Sequence, residues 1–294
     1  MTFKIPTPFT TIHEIFNMAF TLELHKVLGK IQEAVSAPLV ACVTLWIIIQ
    51  GCLVMRGQVD TRGGISRVIM VSIVVGLILG QANYQQYIEL FFDDTIPRFA
   101  HHISGSDFPF IEIPKKLDFM FDSSQYAFQV IASEIGPMNG QDILAFEGAQ
   151  WIFYGALWTT FEIYDAVGIL TKVLLTIGPL VLVAYLFDHT RDMATKWIGQ
   201  LLSYGLLLLL FNIVGTIVIA AEAASLVLML TVIKFSGTTA AKIIGLYELD
   251  MFFLAGDALI VALPTIASSI AGGSWAGANP PLNLNRHFVK TARG

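Results

Sequence analysis

Five stretches of this chain, 34–55, 67–82, 166–187, 197–220 and 251–271, are apolar over about the length a bilayer-crossing helix requires. The second is short but extendable. That pattern leaves few folds open. In hydrocarbon every backbone polar group must be satisfied within the spanning element, and runs of this kind do so as α-helices. Composition agrees. Hydrophobic residues make up 55% of the 294, charged residues 13%, and the mean hydropathy is +0.69. A soluble domain of this size could not hide so much apolar surface. A soluble enzyme, a secreted disulfide scaffold and a disordered chain are thereby excluded. The expected fold class is an all-α polytopic membrane protein of about five transmembrane helices.

Orientation follows from the basic residues on short loops. Arg56, Arg62 and Arg67 flank the first connection, Arg191 and Lys196 the one after the third span, and Arg286, Lys290 and Arg293 the tail. With five spans all three groups fall on one face, which places the N-terminus in the periplasm and the C-terminus in the cytoplasm. The expected organisation is a periplasmic amphipathic segment 1–33, two spans over 34–82 with a cytoplasmic loop 56–67, and a large periplasmic loop 83–165. Three further spans over 166–271 follow, with a cytoplasmic loop 188–196 and a periplasmic segment 221–250, and then a cytoplasmic tail 272–294. The run 221–233 is too short to cross alone. It either prolongs the fourth helix or dips back into the membrane.

The N-terminal residues Ile12, Ile15, Phe16, Ala19, Phe20, Leu24, Val27, Leu28, Ile31 and Val35 recur at helical spacing. Thr11 and Glu14 have the order of a capping box. An amphipathic helix over 11–35, lying on the membrane or docked on a neighbour, is expected. Residues 83–147 carry ten acids against Arg98, Lys115 and Lys116, a net charge of −7. Within them 115–135 has helical periodicity. Trp151, Tyr154, Trp158 and Phe161 then share one helical face. They are a candidate face for substrate or subunit contact, with an interfacial belt as the plainer alternative.

Motifs for chemistry are missing from the sequence. There is no GxxxxGK[ST], HExxH, CxxC or GxSxG pattern, so no catalytic, cofactor-binding or metal-ligating residue is assigned and no cofactor is expected. Cys42 and Cys52 share one apolar run about 15 Å apart along a helix, beyond disulfide reach. His101 and His102 are read as a solvated pair in a loop. Intramembrane charge is more informative, because it is costly. Lys172 and Asp257 each lie six residues inside their spans, at equal expected depth, and are expected to form an ion pair between the third and fifth helices. The alternative leaves Lys172 snorkelling and Asp257 in a wet crevice. Gly76 and Gly80 form a GxxxG suited to close helix approach. Gly178 and Pro179 interrupt the third span, as a packing device or a hinge. Arg56, Arg62, Arg67, Arg191, Lys196 and Trp197 are the topology anchors.

Several stretches carry a resemblance: QEAVSAPLVACVTLWIIIQG (32–51), DTRGGISRV (60–68), ASEIGPMNGQDILAFEGAQW (132–151), GPLVLVAYLFDHTRDMATKWIGQLLSY (178–204) and GTTAAKIIGLYELDMFF (237–253). In order and extent they resemble the TrbL-like polytopic inner-membrane subunit of type IV secretion systems, the sixth VirB-operon product type. The resemblance implies a multi-pass bacterial inner-membrane protein that is not an enzyme. Its implied role is a channel or assembly-platform subunit supporting DNA and protein translocation and pilus biogenesis. It implies a homo-oligomeric ring, fivefold, in contact with the lipid bilayer. The implied partners are the minor pilin at the stalk, the major pilin, the small membrane subunit with the secretion ATPases, and the envelope-spanning core complex. A single-stranded DNA–protein substrate would be a transient partner.

Two other functions stand beside it: an ion-coupled secondary transporter of a small solute, and a pure assembly scaffold that never touches cargo. Single cysteines at Ser106, Thr190 and Ser274 test the orientation. A membrane-impermeant thiol reagent applied to intact spheroplasts is expected to label Ser106→Cys alone, the other two only after lysis.

Overall fold

Pro8, whose missing N–H costs nothing in a first turn, opens a helix that runs without a break to Met55. The computed structural model describes residues 7–57, 61–80, 84–104, 112–135, 139–187, 189–235 and 238–271, and all regular structure among them is helical. In chain order the helices are α1 (Pro8–Met55), α2 (Thr61–Leu79), α3 (Ile96–Ser104), α4 (Ile113–Glu134), α5 (Gly140–Val183), α6 (Arg191–Phe235) and α7 (Thr239–Ala271). Two wide π-helical turns, Gln85–Glu89 and Phe91–Thr95, lead into α3, and a 3-10 turn, Ala184–Leu186, closes α5.

Four of these helices are long and apolar enough to cross a membrane: α1, α5 with its closing turn, α6 and α7. The apolar part of α2, Val68–Leu79, is shorter. The protein is thus an all-α polytopic membrane protein. The helices also run past the ends of the expected spans. The amphipathic segment 11–35 and the span 34–55 are one helix, α1. The aromatic stretch 141–165 and the span 166–187 are one helix, α5. Residues 221–233 continue α6, so they do not dip back. Hydropathy marks where a helix leaves hydrocarbon, and nothing at those points caps or breaks the backbone. α4 lies where the periodicity put it, and His101 and His102 stand in helix α3 and not in a loop. The tail 272–294 lies outside the described residues.

The core is the junction of α5, α6 and α7, with α4 laid over it. Ile113, Leu117, Met120, Ala127, Phe128 and Ile131 are the buried stripe of α4, at three- and four-residue spacing. α5 and α7 run parallel, in a register shown by Tyr247 Oη donating to the Ala145 carbonyl at 2.9 Å. Farther along, the Phe153 and Phe253 rings lie 4.7 Å apart.

The expected capping box is not used. The N-cap of α1 is Thr7, which makes no side-chain cap bond. The cap comes from another helix. Asp118 of α4 accepts the Phe9 N–H at 2.9 Å and the Thr10 N–H at 3.0 Å. Its carboxylate satisfies two first-turn donors and sits at the positive end of the helix dipole. Along 40–55, by contrast, α1 leaves Val40, Leu45, Ile47, Ile48, Ile49 and Met55 exposed, as lipid contact requires.

Asp118→Ala leaves both N–H groups unpaired. It is expected to cost about 1–2 kcal/mol, the range for a lost cap. Thermal unfolding of the detergent-solubilised protein reads this loss, with faster proteolysis near residue 10 as the local signature.

Candidate functional site

Polar side chains buried between the long helices fall into three groups, and each is built from elements far apart in sequence. The first joins α1 to α5. His13 Nδ1 donates to Asp165 Oδ1 at 2.7 Å, and His13 Nε2 accepts from Asn17 Nδ2 at 3.1 Å. Asn17 Oδ1 in turn accepts from Lys172 Nζ at 2.7 Å, and Lys172 also donates to Thr21 at 3.1 Å. The chain works because His13, Asn17 and Thr21 are four residues apart and share one face of α1. His13, Asn17, Asp165 and Lys172, with Asn212 of α6, line a cavity of about 300 Å³.

The second group lies between α5, α6 and α7. Asp257 accepts the Thr160 hydroxyl at 2.9 Å. Lys172 and Asp257 therefore do not form the expected ion pair. Thr160 is twelve residues before Lys172 on α5, about 18 Å along the axis. The ends of the apolar runs lie at different levels from the interhelical contacts, and the Phe153–Phe253 and Tyr247–Ala145 contacts between α5 and α7 set the register. Glu222 of α6 and Asp250 of α7 are also buried here. Nearby, α4 contributes one lysine, Lys116, and the acid partner of another, Glu134. Lys242 of α7 is clamped at 2.6 Å by both oxygens of Glu134. Lys116 donates to Thr216 Oγ1 at 2.6 Å, and burial lowers its pKa to about 8. Asp122 on the same helix is pushed up by burial and then by Asp118.

The third group explains Gly178 and Pro179. Proline at 179 cannot donate to the carbonyl four residues earlier, that of Leu175. Tyr84 fills the vacancy: its hydroxyl donates to that carbonyl at 2.5 Å. The Tyr84 ring and the Trp197 indole occupy the space a side chain at 178 would need. Trp197 is 8% exposed and its Nε1–H donates to the Leu174 carbonyl at 3.0 Å. Expected as an interface anchor, Trp197 is a packing residue instead.

The remaining singled-out residues are scattered. Arg191 stacks over the Tyr185 ring at 5.0 Å, and Lys196 pairs with Asp192 at 3.1 Å on the surface. Arg56 caps α1 through its backbone. The side chains of Arg62 and Arg67 lie outside the described residues. At Gly76 a Cβ would meet nothing within 4 Å, and the Gly80 N–H closes the helix onto the Gly76 carbonyl.

The aromatic face is divided. Trp151 is 78% exposed. Tyr154 accepts from Gln125 of α4 and packs on Phe121. Phe9 lies against Trp158 and Phe161, which stack on each other at 5.3 Å. The four therefore do not form one open platform, because α4 and the start of α1 cover its middle.

Sequence reasoning missed Asp118, Lys116, Glu222, Asp250 and the Lys242–Glu134 pair. Glu222 carries a signal in the sequence, a lone acid in apolar surroundings, but it stands two residues past Ala220, where the expected fourth span ends.

The family profile described as TrbL/VirB6 plasmid conjugal transfer protein matches residues 43–261. The chain is 67% identical to Protein VirB6 of Agrobacterium fabrum over 294 residues, all of both chains. It is 64% identical to Protein VirB6 of Agrobacterium tumefaciens, again over the whole of both. It is 20% identical to the type IV secretion system protein VirB6 of Bartonella quintana, over 91% of this chain and 80% of that one.

If Lys172 serves α1 and Asp257 serves α5, exchanging their charges repairs nothing. The double variant Lys172→Asp with Asp257→Lys is expected to be at least as unstable as the worse single variant. Thermal unfolding of the three proteins in detergent measures it, and recovery in the double variant would reinstate the pair.

Proposed function

The chain belongs to the TrbL/VirB6 family, and from that premise we propose that it acts as a channel or assembly-platform subunit for substrate translocation and pilus biogenesis. Family membership makes it a multi-pass inner-membrane component of a type IV secretion system, partnered by other components of that system. The finer role rests on the length of its helices. α5 has 44 residues and α6 has 45, so each is about 66 Å long. The hydrocarbon is only about 30 Å thick. Part of each helix must stand outside the membrane.

The segments taken as periplasmic carry large apolar side chains with no cover in the isolated chain. Trp151 on α5 and Val227, Leu228 and Phe235 on α6 are exposed. Apolar surface held beyond the lipid is what other subunits or a passing substrate would meet. A homo-oligomeric ring, fivefold, with its GxxxG at Gly76 facing a neighbour, gives that surface a place at the base of the stalk. The minor pilin would seat there, with the major pilin, the small membrane subunit, the ATPases and the envelope-spanning core around it.

The test replaces Trp151 with a photo-crosslinking amino acid in a strain that depends on this chain for DNA transfer. Crosslinks to translocating single-stranded DNA support a channel, and crosslinks to secretion proteins alone support a platform. Trp151→Ala is expected to lower transfer by at least about tenfold, the scale of a buried interface aromatic. Undiminished transfer together with no crosslink of either kind overturns the proposal.

A further inference from the structure

The second apolar run is the shortest of the expected spans. Its helical part, Val68–Leu79, is about 18 Å long, against a hydrocarbon thickness of about 30 Å. The chain carries on past it. The Tyr84 N–H donates to the Gly80 carbonyl at 3.0 Å, which leads the path of α2 into the two π-helical turns, Gln85–Glu89 and Phe91–Thr95, and then into α3. By hydropathy this stretch opens the periplasmic loop. Its contacts put it elsewhere.

Tyr84 is fully buried and donates to the carbonyl of Leu175, nine residues inside the third expected span. Phe92 and Ile96 fill the space beside Gly205, eight residues inside the fourth. Phe92 and Pro97 share the wall of the 300 Å³ cavity with Gly168, Lys172 and Leu208. All of these partners stand within the expected spans of α5 and α6, so residues 84–97 lie at the depth of the hydrocarbon. Their backbone suits that depth. The π turns keep N–H and C=O groups paired within the segment, as the Ile96 N–H bond to the Phe91 carbonyl shows.

The side chains divide into two faces. Tyr84, Ile88, Phe92, Ile96 and Ala100, four residues apart, turn toward the bundle. Tyr87, Leu90 and Phe91 turn away from it and are 65%, 52% and 48% exposed. Two of the segment's acids are answered by bases. Glu89 is largely buried beside His25 at 3.7 Å, and Asp94 pairs with Arg98 at 2.6 Å. Arg98 follows Pro97, which is level with the outer end of the third expected span. A long cationic side chain there reaches the interface.

We propose that residues 84–97 complete the second bilayer crossing, with Tyr87, Leu90 and Phe91 resting against lipid acyl chains and the periplasmic loop beginning near Arg98. Acyl chains are the occupant that depth and side-chain chemistry select together: large apolar groups face outward at a level where lipid replaces water. The secretion role does not call on this surface.

The test uses the full chain with Cys42→Ser and Cys52→Ser, reconstituted in vesicles of phosphatidylethanolamine and phosphatidylglycerol. A nitroxide is attached at Leu90→Cys, at Phe91→Cys or, as the water-facing reference, at His102→Cys. Tyr87→Cys replaces either of the first two should it not fold. Collisions with oxygen, which concentrates in hydrocarbon, and with a water-soluble nickel chelate are read by electron paramagnetic resonance. At 90 and 91 the ratio of oxygen to nickel collisions is expected to be several-fold higher than at 102. Nickel collisions as frequent at 90 and 91 as at 102 mean water, and overturn the proposal. Both kinds rare at 90 and 91 mean a protein cover, such as a second copy of the chain, and overturn it equally.

Discussion

Apolar helices in an apolar solvent gain little from burying one another, so close packing and polar contacts must choose one arrangement among many. The whole bundle shows this constraint. Thr160 with Asp257 and Tyr247 with the Ala145 carbonyl hold α7 against α5 at two levels. Lys242 and Glu134 tie the start of α7 to α4. Tyr84 ties the segment after α2 to the C-terminal part of α5. A slip of one helical turn would leave each of these buried groups without a partner. That penalty, more than the strength of any one bond, makes the register unique.

The same economy joins α1 to the bundle. Asp118 holds its first turn, and the His13–Asp165 and Asn17–Lys172 contacts hold the next turns. Past Leu39 the helix is largely apolar and mostly exposed. One continuous helix is thus docked on protein at its N-terminal end and presented to lipid at the other. Pro179 follows a related logic. Proline inside a spanning helix exposes a carbonyl, and Tyr84 satisfies it while resting where Gly178 leaves room. A position that reads as a weakness in the sequence becomes the point where three segments meet.

Much of this fold was legible in the residues. The helical period of 115–135 and the proline before it placed α4 within a residue or two of Ile113–Glu134. The apolar runs located the long helices but not their ends, because hydropathy reports the solvent around a helix and not its backbone continuity. Trp151, Tyr154, Trp158 and Phe161 do share one side of α5, as their spacing required. Spacing could not reveal that Phe9 and Phe121 would cover part of that side. Trp197 had the composition of an interface anchor, yet the notch at Gly178 drew it inward.

Sequence alone determined that this chain is helical, that it lives in a membrane, and which family it resembles. All three follow from local period, run length and the order of recognisable stretches. Tertiary structure alone decided which polar groups meet. Lys172 went to Asn17 and Thr21, Asp257 to Thr160, and Glu222 to the hollow beside Gly256. The reason is geometric. A residue's own neighbours set its face and burial, but the level at which two helices lock depends on side chains a hundred positions apart packing together.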